Sequence, residues 1–251
     1  MDEESPMTSP DVRFGVAVPE GAIPGETLPW LTAALLRAEP STVELPFDVW
    51  AADSAGWNRA EGDLCLRLGG VFADFPGDAG GGMADAAGYG IAYQKALARC
   101  RRAAEAASAQ GRLSALLLEF PASFSYSAAA RRHLDHVLRD LAGLPLAVAF
   151  HGADWYSARV IEGLKARGVA LCLLDMVREP GSPPSIDVVT SSLVYIKLRE
   201  ETDISAWLAR IEALAAQAET VRVIFSGPDG GKIVQKAALM ARLWQAGAGG
   251  G

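Results

Sequence analysis

Histidine and cysteine are scarce in this sequence, with three of each among 251 residues. Cys65, Cys100 and Cys172 lie far apart and show no CxxC spacing, so a redox or zinc framework is not expected and three reduced, buried thiols are. No HExxH or comparable ligand spacing occurs, which argues against a structural zinc site. No run of about 18 apolar residues exists, so no membrane-spanning helix is expected. Positive charge is in deficit: 23 Lys and Arg face 30 Asp and Glu, for a net charge of -7. Such a surface repels phosphate backbones, so general nucleic-acid binding is not expected. The segment Met1-Asp2-Glu3-Glu4-Ser5-Pro6 is acidic and precedes no apolar stretch. No secretory signal is read there, and a cytoplasmic protein is expected.

What is present is a chain that is 50% hydrophobic and 21% charged, a balance that can bury a substantial core. Eight short apolar runs read as strands: residues 12–17, 42–45, 64–67, 114–120, 146–150, 169–174, 193–198 and 221–225. Between them lie helical patterns at 27–37, 91–109, 127–141, 157–166, 204–218 and 231–246. Ser127 and Asp203 are natural N-caps, and Gly168 is a natural stop. Alternation at this spacing implies βαβ units, and eight of them predict a single TIM-type (β/α)8 barrel over residues 12–246. The rival architecture is an open doubly wound sheet. Residues 1–11 and 247–251 read as disordered tails. Two stretches make the barrel irregular, around its third and sixth units. Pro76 to Gly90 carries six glycines and reads as a flexible loop, and Pro180, Pro183 and Pro184 shorten or remove the sixth helix.

Barrel sites form at the C-terminal ends of the strands. The polar residues expected there are Glu44, Arg67, Glu119, His151, Asp154, Asp175, Lys197, Arg199, Ser226 and Asp229. Glu44, Glu119, His151 and Asp175 are the candidate acids and bases. Structural ion pairs, such as Glu44 with Arg67 or Glu119 with Lys197, are the simpler reading of the same residues. Lys197 and Arg199 could hold an anion, as could the Gly-rich turn with Ser226, Gly227, Gly230 and Gly231, because open backbone amides at a helix start favour negative charge. A plain turn capped by Asp229 competes with that. Trp50 and Trp155 follow strand ends and could line a pocket; Trp30, Trp207 and Trp244 fall on helix patterns, and Trp57 cannot be placed. His133 and His136 lie three apart beside Arg131, Arg132 and Arg139 and read as a solvated helix face. No cofactor is predicted, although the rim acids would admit a divalent metal.

Several runs resemble one family in order. Leu116-Leu117-Leu118-Glu119-Phe120-Pro121-Ala122-Ser123-Phe124 is similar to an "LLFQLPPSF" strand and turn, and Phe150-His151-Gly152-Ala153-Asp154-Trp155 to part of a "VEFRHxSW" motif. Leu173-Leu174-Asp175, Tyr195-Ile196-Lys197-Leu198-Arg199 and Phe225-Ser226-Gly227 stand where the family has "vxxD", "YVRLHG" and "FNN". Thr42-Val43-Glu44 matches part of "TVEINSTFY". This set resembles the YecE-like family (domain of unknown function 72), from about Val12 to Leu243. The resemblance implies a TIM-type barrel and brings no established activity. It also marks departures. Ala149, His151 and Gly152 replace a motif Glu, Arg and His; Arg199-Glu200 replaces His-Gly; Ser226 and Gly227 replace two Asn.

Two functions fit. One is a degenerate relative with a ligand-binding or regulatory role at the rim. The other is a divergent enzyme acting on a small anionic or phosphorylated substrate, with Glu44, Glu119 or Asp175 as acid or base. A metal-dependent nuclease or sugar isomerase is a variant resting on fold analogy alone. The sequence leaves oligomeric state open.

Overall fold

The computed structural model describes residues 9–19, 41–52, 62–73 and 83–248. The strands are β1 (Asp11–Ala17), β2 (Thr42–Pro46), β3 (Asp63–Leu68), β4 (Leu113–Phe120), β5 (Leu146–Phe150), β6 (Ala170–Leu171), β7 (Leu173–Leu174), β8 (Leu193–Arg199) and β9 (Thr220–Ser226). The helices are α1 (Phe47–Ala52), α2 (Met83–Ala109), α3 (Ala128–Asp140), α4 (Ala158–Lys165), α5 (Ile204–Ala215) and α6 (Gly230–Ala248). Every strand pair is parallel. The order is β6-β5-β4-β3-β2-β1-β9-β8-β7.

The two ends of that ladder are the two halves of one segment. β6 pairs with β5 and β7 with β8, with Cys172 between them. The Cys172 N–H donates to the Val148 carbonyl at 2.8 Å, and the Asp175 N–H donates to the Lys197 carbonyl at 2.9 Å. The sheet is therefore a nearly closed barrel whose sixth stave changes partner midway. The expected irregularity of the sixth unit is this split, together with a helix-free passage from Asp175 to Ser192.

Alternation along each strand sorts the core into two layers. Residues such as Leu116, Leu118, Phe120, Val148 and Ile196 face outward into the helix layer. Ala17, Cys65, Ala115, Leu117, Ala147, Ala149, Cys172, Tyr195 and Ile224 fill the interior. Small residues dominate inside, which leaves room for the large Tyr195 and for charged side chains above and below it. Below, at the N-terminal pole, Arg222 donates to the Asp11 carboxylate at 2.8 Å and to Asp63 at 3.0 Å, and it also bonds Ser114. Arg13 joins from 2.9 Å to each of the same two acids. Helix starts follow the sequence expectation: Ser127 accepts from the Ala130 N–H at 3.0 Å and Asp203 from the Ser205 N–H at 3.0 Å.

Several expectations need correction. Residues 83–90, expected in a Gly-rich loop, are the first turns of α2; residues 76–82 lie outside the described residues, as do Trp30, Trp57 and the helical pattern at 27–37. Asp11, expected in a tail, opens β1 and is tied down by Arg222, and α6 carries Gly247 and Ala248. His133 is not on a solvated face. It shares α3's buried stripe with Ala130, Leu134, Val137 and Leu138, and its Nε2 lies 2.8 Å from the Phe72 carbonyl. Burial lowers its pKa, against the opposing pull of that carbonyl. His136, by contrast, is exposed.

Gly15 sits where β1 presses on β2: a Cβ there would lie 2.2 Å from the Thr42 carbonyl oxygen. Gly15→Ala must push the two strands apart. It should cost about 1–3 kcal/mol, as overpacking does, read as a lower urea midpoint at unchanged slope.

Candidate functional site at the barrel rim

Strand alternation carries the same inward face from the apolar interior to the C-terminal rim. On β2, β3, β4 and β8 that face ends in Glu44, Arg67, Glu119 and Lys197, and His151 follows β5 directly. The five side chains meet. Glu44 is fully buried and accepts from Arg67 Nη1 at 2.8 Å, from Lys197 Nζ at 3.2 Å and from the Tyr195 hydroxyl at 2.8 Å. Glu119 accepts from Lys197 Nζ at 2.9 Å, lies 2.9 Å from His151 Nε2 and faces Arg67 Nε at 3.7 Å. Arg67 also donates to the Val18 carbonyl at 3.2 Å. Two carboxylates thus share two cations, with a phenol beneath and an imidazole above.

The cluster meets two cavities among the described residues. Arg67, Glu119 and His151 line a cavity of about 1020 Å³ together with Asp154, Glu179 and the backbone around Gly69 and Gly181. A smaller cavity of about 270 Å³ meets Lys197, Ser226 and Gly227, and again Arg67 and Glu119. Glu44 and Tyr195 line neither.

Not every expected site residue reaches this cluster. Asp175 turns aside: it accepts from the Thr202 hydroxyl and faces Arg199 Nε at 3.8 Å. Arg199 is spent on Asp175 and on Glu201 at 3.4 Å, and lines neither cavity. Trp155, expected to line the ligand pocket, is buried instead. Its ring stacks between Phe124 and Phe150, at 5.0 and 4.7 Å, and its Nε1 donates to the Phe124 carbonyl at 2.6 Å. The Gly-rich turn is occupied from within. The Asp229 N–H donates to the Glu200 carboxylate at 3.0 Å, and Asp229 itself caps α6 through the Lys232 N–H at 3.1 Å. Of that turn only Ser226 and Gly227 face a rim cavity; Gly230 and Gly231 begin the helix. Among the described residues no group of three His, Cys, Asp or Glu is arranged to hold a metal ion.

Two participants escaped the sequence reading. Tyr195 lies two residues before Lys197 and so on the same inward face; the period of two was the available signal. Glu200 follows the strand, where no periodicity says which way a side chain turns.

With the site defined, its relatives can be set beside it. The profile of the family described as "Protein of unknown function DUF72" matches residues 87–249. The chain belongs to this family. A DUF72 family protein from Thermotoga maritima shares the fold with a TM-score of 0.75 at 17% identity, over 94% of this chain and 99% of that one. One from Enterococcus faecalis gives 0.71 at 15% identity, over 94% and 98%. These likenesses show the fold. No curated protein matches the sequence. The matched stretch of this DUF72 protein holds Glu119, His151 and Lys197; Glu44 and Arg67 come from the part before it.

Burial alone would raise the Glu119 pKa. The His151 hydrogen bond, the Lys197 charge and Arg67 outweigh it and hold the carboxyl well below the usual range. Burial would likewise lower Lys197, but Glu44 and Glu119 leave it raised and protonated. A depressed carboxyl pKa stabilises the fold above the ordinary carboxylate value, and that contribution disappears as pH falls from about 5 toward the folded value. Glu119→Gln should therefore cost about 1–3 kcal/mol near pH 7. The gap from wild type should narrow steadily in urea titrations run at decreasing pH below about 5; a gap that ignores pH would refute the ionised assignment.

Proposed function

We propose that this DUF72 protein is a recognition barrel that holds a small, neutral or zwitterionic polar ligand in the rim cavity, with Arg67, Glu119 and His151 as its contacts. The observation that carries this reading is the internal balance of the cluster. Glu44 and Glu119 offset Arg67 and Lys197, and Glu200 engages a backbone amide of the Gly-rich turn. A free anion entering here would have to displace a carboxylate already in place. A ligand offering hydroxyl or amine groups would instead find prearranged acceptors and donors at no cost in charge. The cavity volume lies at the upper end of small-molecule sites, which run to about 1,000 Å³.

One observation favours catalysis as a second reading. His151 Nε2 and Glu119 Oε1 form a 2.9 Å pair at the cavity wall. A carboxylate in that position accepts from Nε2–H and orients the imidazole, leaving Nδ1 to take a proton from a bound hydroxyl. The pair is competent for proton transfer but does not specify a bond to be broken.

A thermal-shift panel of polyols, monosaccharides and amino acids, each beside its phosphorylated counterpart, tests the first reading. A ligand at a hundred times its Kd should raise Tm by about 5–10 °C. The shift should be lost in His151→Ala, whose partly exposed side chain can be removed with little damage to the core. Stabilisation by phosphorylated compounds alone, and lost in His151→Ala, would overturn the assignment.

A further inference from the structure

On the outer wall of the barrel, away from the inward-facing cluster, α3 and α4 enclose a groove of about 220 Å³. Its apolar wall is Leu134 and Leu138 from α3 and Val160 and Leu164 from α4, with Trp155 at one end. Three arginines surround it. Arg167 is fixed, donating to the Asp135 carboxylate and to the Gly163 carbonyl at 2.8 Å each. Arg131 lies 6.0 Å from the Tyr126 ring centre and reaches only the Tyr126 hydroxyl, at 3.5 Å. Arg159 is exposed and forms no ion pair among the described residues. Among the described residues Asp135 is the one carboxylate lining the groove, so three positive charges face one negative charge in a protein whose net charge is -7. The nearby Asp154 carboxylate is turned to the Tyr126 N–H at 2.6 Å.

We infer that this groove is a second ligand site, for an anionic group carried on a short planar apolar stem, such as an aryl phosphate. Arg131 and Arg159 hold the anion, because guanidinium forks match phosphoryl and carboxylate oxygens and neither is spent on a carboxylate among the described residues. The leucine and valine wall takes the stem. The volume falls below the roughly 300 Å³ at which drug-sized pockets begin, which limits the stem to about one ring. The site differs chemically from the rim cavity: that lining carries Glu119, Asp154 and Glu179 beside Arg67, and here cations are in excess.

Titration calorimetry of the full chain with phenyl phosphate tests the inference, with phenol and inorganic phosphate as the two half-ligands. Phenyl phosphate should bind more tightly than either half. The affinity should fall with added salt, and at least about tenfold in Arg131→Gln/Arg159→Gln, in line with the 1.4 kcal/mol that a tenfold change represents. Both substitutions are at surface arginines, and circular dichroism checks that the variant is folded; Arg159→Lys should keep part of the affinity. His151→Ala should leave binding unchanged. Full affinity in the double variant, loss in His151→Ala, phenol binding as well as phenyl phosphate, or no binding by folded wild-type protein would each overturn the site.

Discussion

A carboxylate with no exposure to water is the constraint around which the upper half of this barrel is arranged. Glu44 ends up buried because β2 is an inner stave of a closed sheet and its inward face has nowhere else to point. An isolated charge there would be prohibitive, so the surrounding strands must supply partners. They do so from both directions: Arg67 from the adjacent β3, and Tyr195 and Lys197 from β8, on the far side of β1 and β9. Four polar side chains from three staves thus converge on a point that the alternation of each strand fixes independently.

The rest of the site follows from the excess this creates. Two cations around one carboxylate leave a positive charge to be met, and Glu119 meets it from β4 by bonding Lys197 and facing Arg67. Glu119 then has an oxygen free for His151, and this third link carries the cluster out of the protein and to the cavity wall. The chemistry of the rim therefore depends on a residue that no ligand would touch. The opposite pole shows the same logic. Arg222 is buried and is matched by Asp11, Asp63 and Ser114. Between these two ionic caps the barrel holds mostly alanine, leucine and cysteine, and Cys65 and Cys172 are kept protonated by burial.

Legibility in the sequence divided along the same line. The eight staves could be read from short apolar runs, because a strand covered on both faces has to be apolar almost throughout. Glu44, Glu119 and Lys197 could be read as rim residues because each interrupts or ends such a run. Two of the pairs, Glu44 with Arg67 and Glu119 with Lys197, could be named in advance and are present; the convergence of all four with Tyr195 and His151 could not, since it depends on which staves face one another across the interior. The split of the sixth stave at Cys172 was equally hidden, because the run from Val169 to Leu174 looks continuous in one dimension. His133 was misread because its arginine neighbours dominate the local composition, while the helical period places it on the leucine face. The glycines of residues 83–90 suggested a loop, but these residues open a helix that packs through Tyr93, Ala103 and Ala104.

The Gly-rich turn shows how one residue can reverse the meaning of a motif. Taken alone, Ser226 to Lys232 has the amides and the helix start that an anion site needs. The structure places an anion there, but it belongs to the chain: Glu200 leaves β8 and lays its carboxylate against the turn. A Cβ at Gly227 would come within 2.6 Å of Glu200 Oε2, so the carboxylate fits only because that position has no side chain. Gly227 and Glu200 are thus complementary, and they stand where the family pattern has an Asn and a Gly. Glu200 fills the space beside Gly227 and satisfies the Asp229 amide, so an external anion would have to displace it. The polarity of the rim that remains open rests on Arg67, Glu119 and His151.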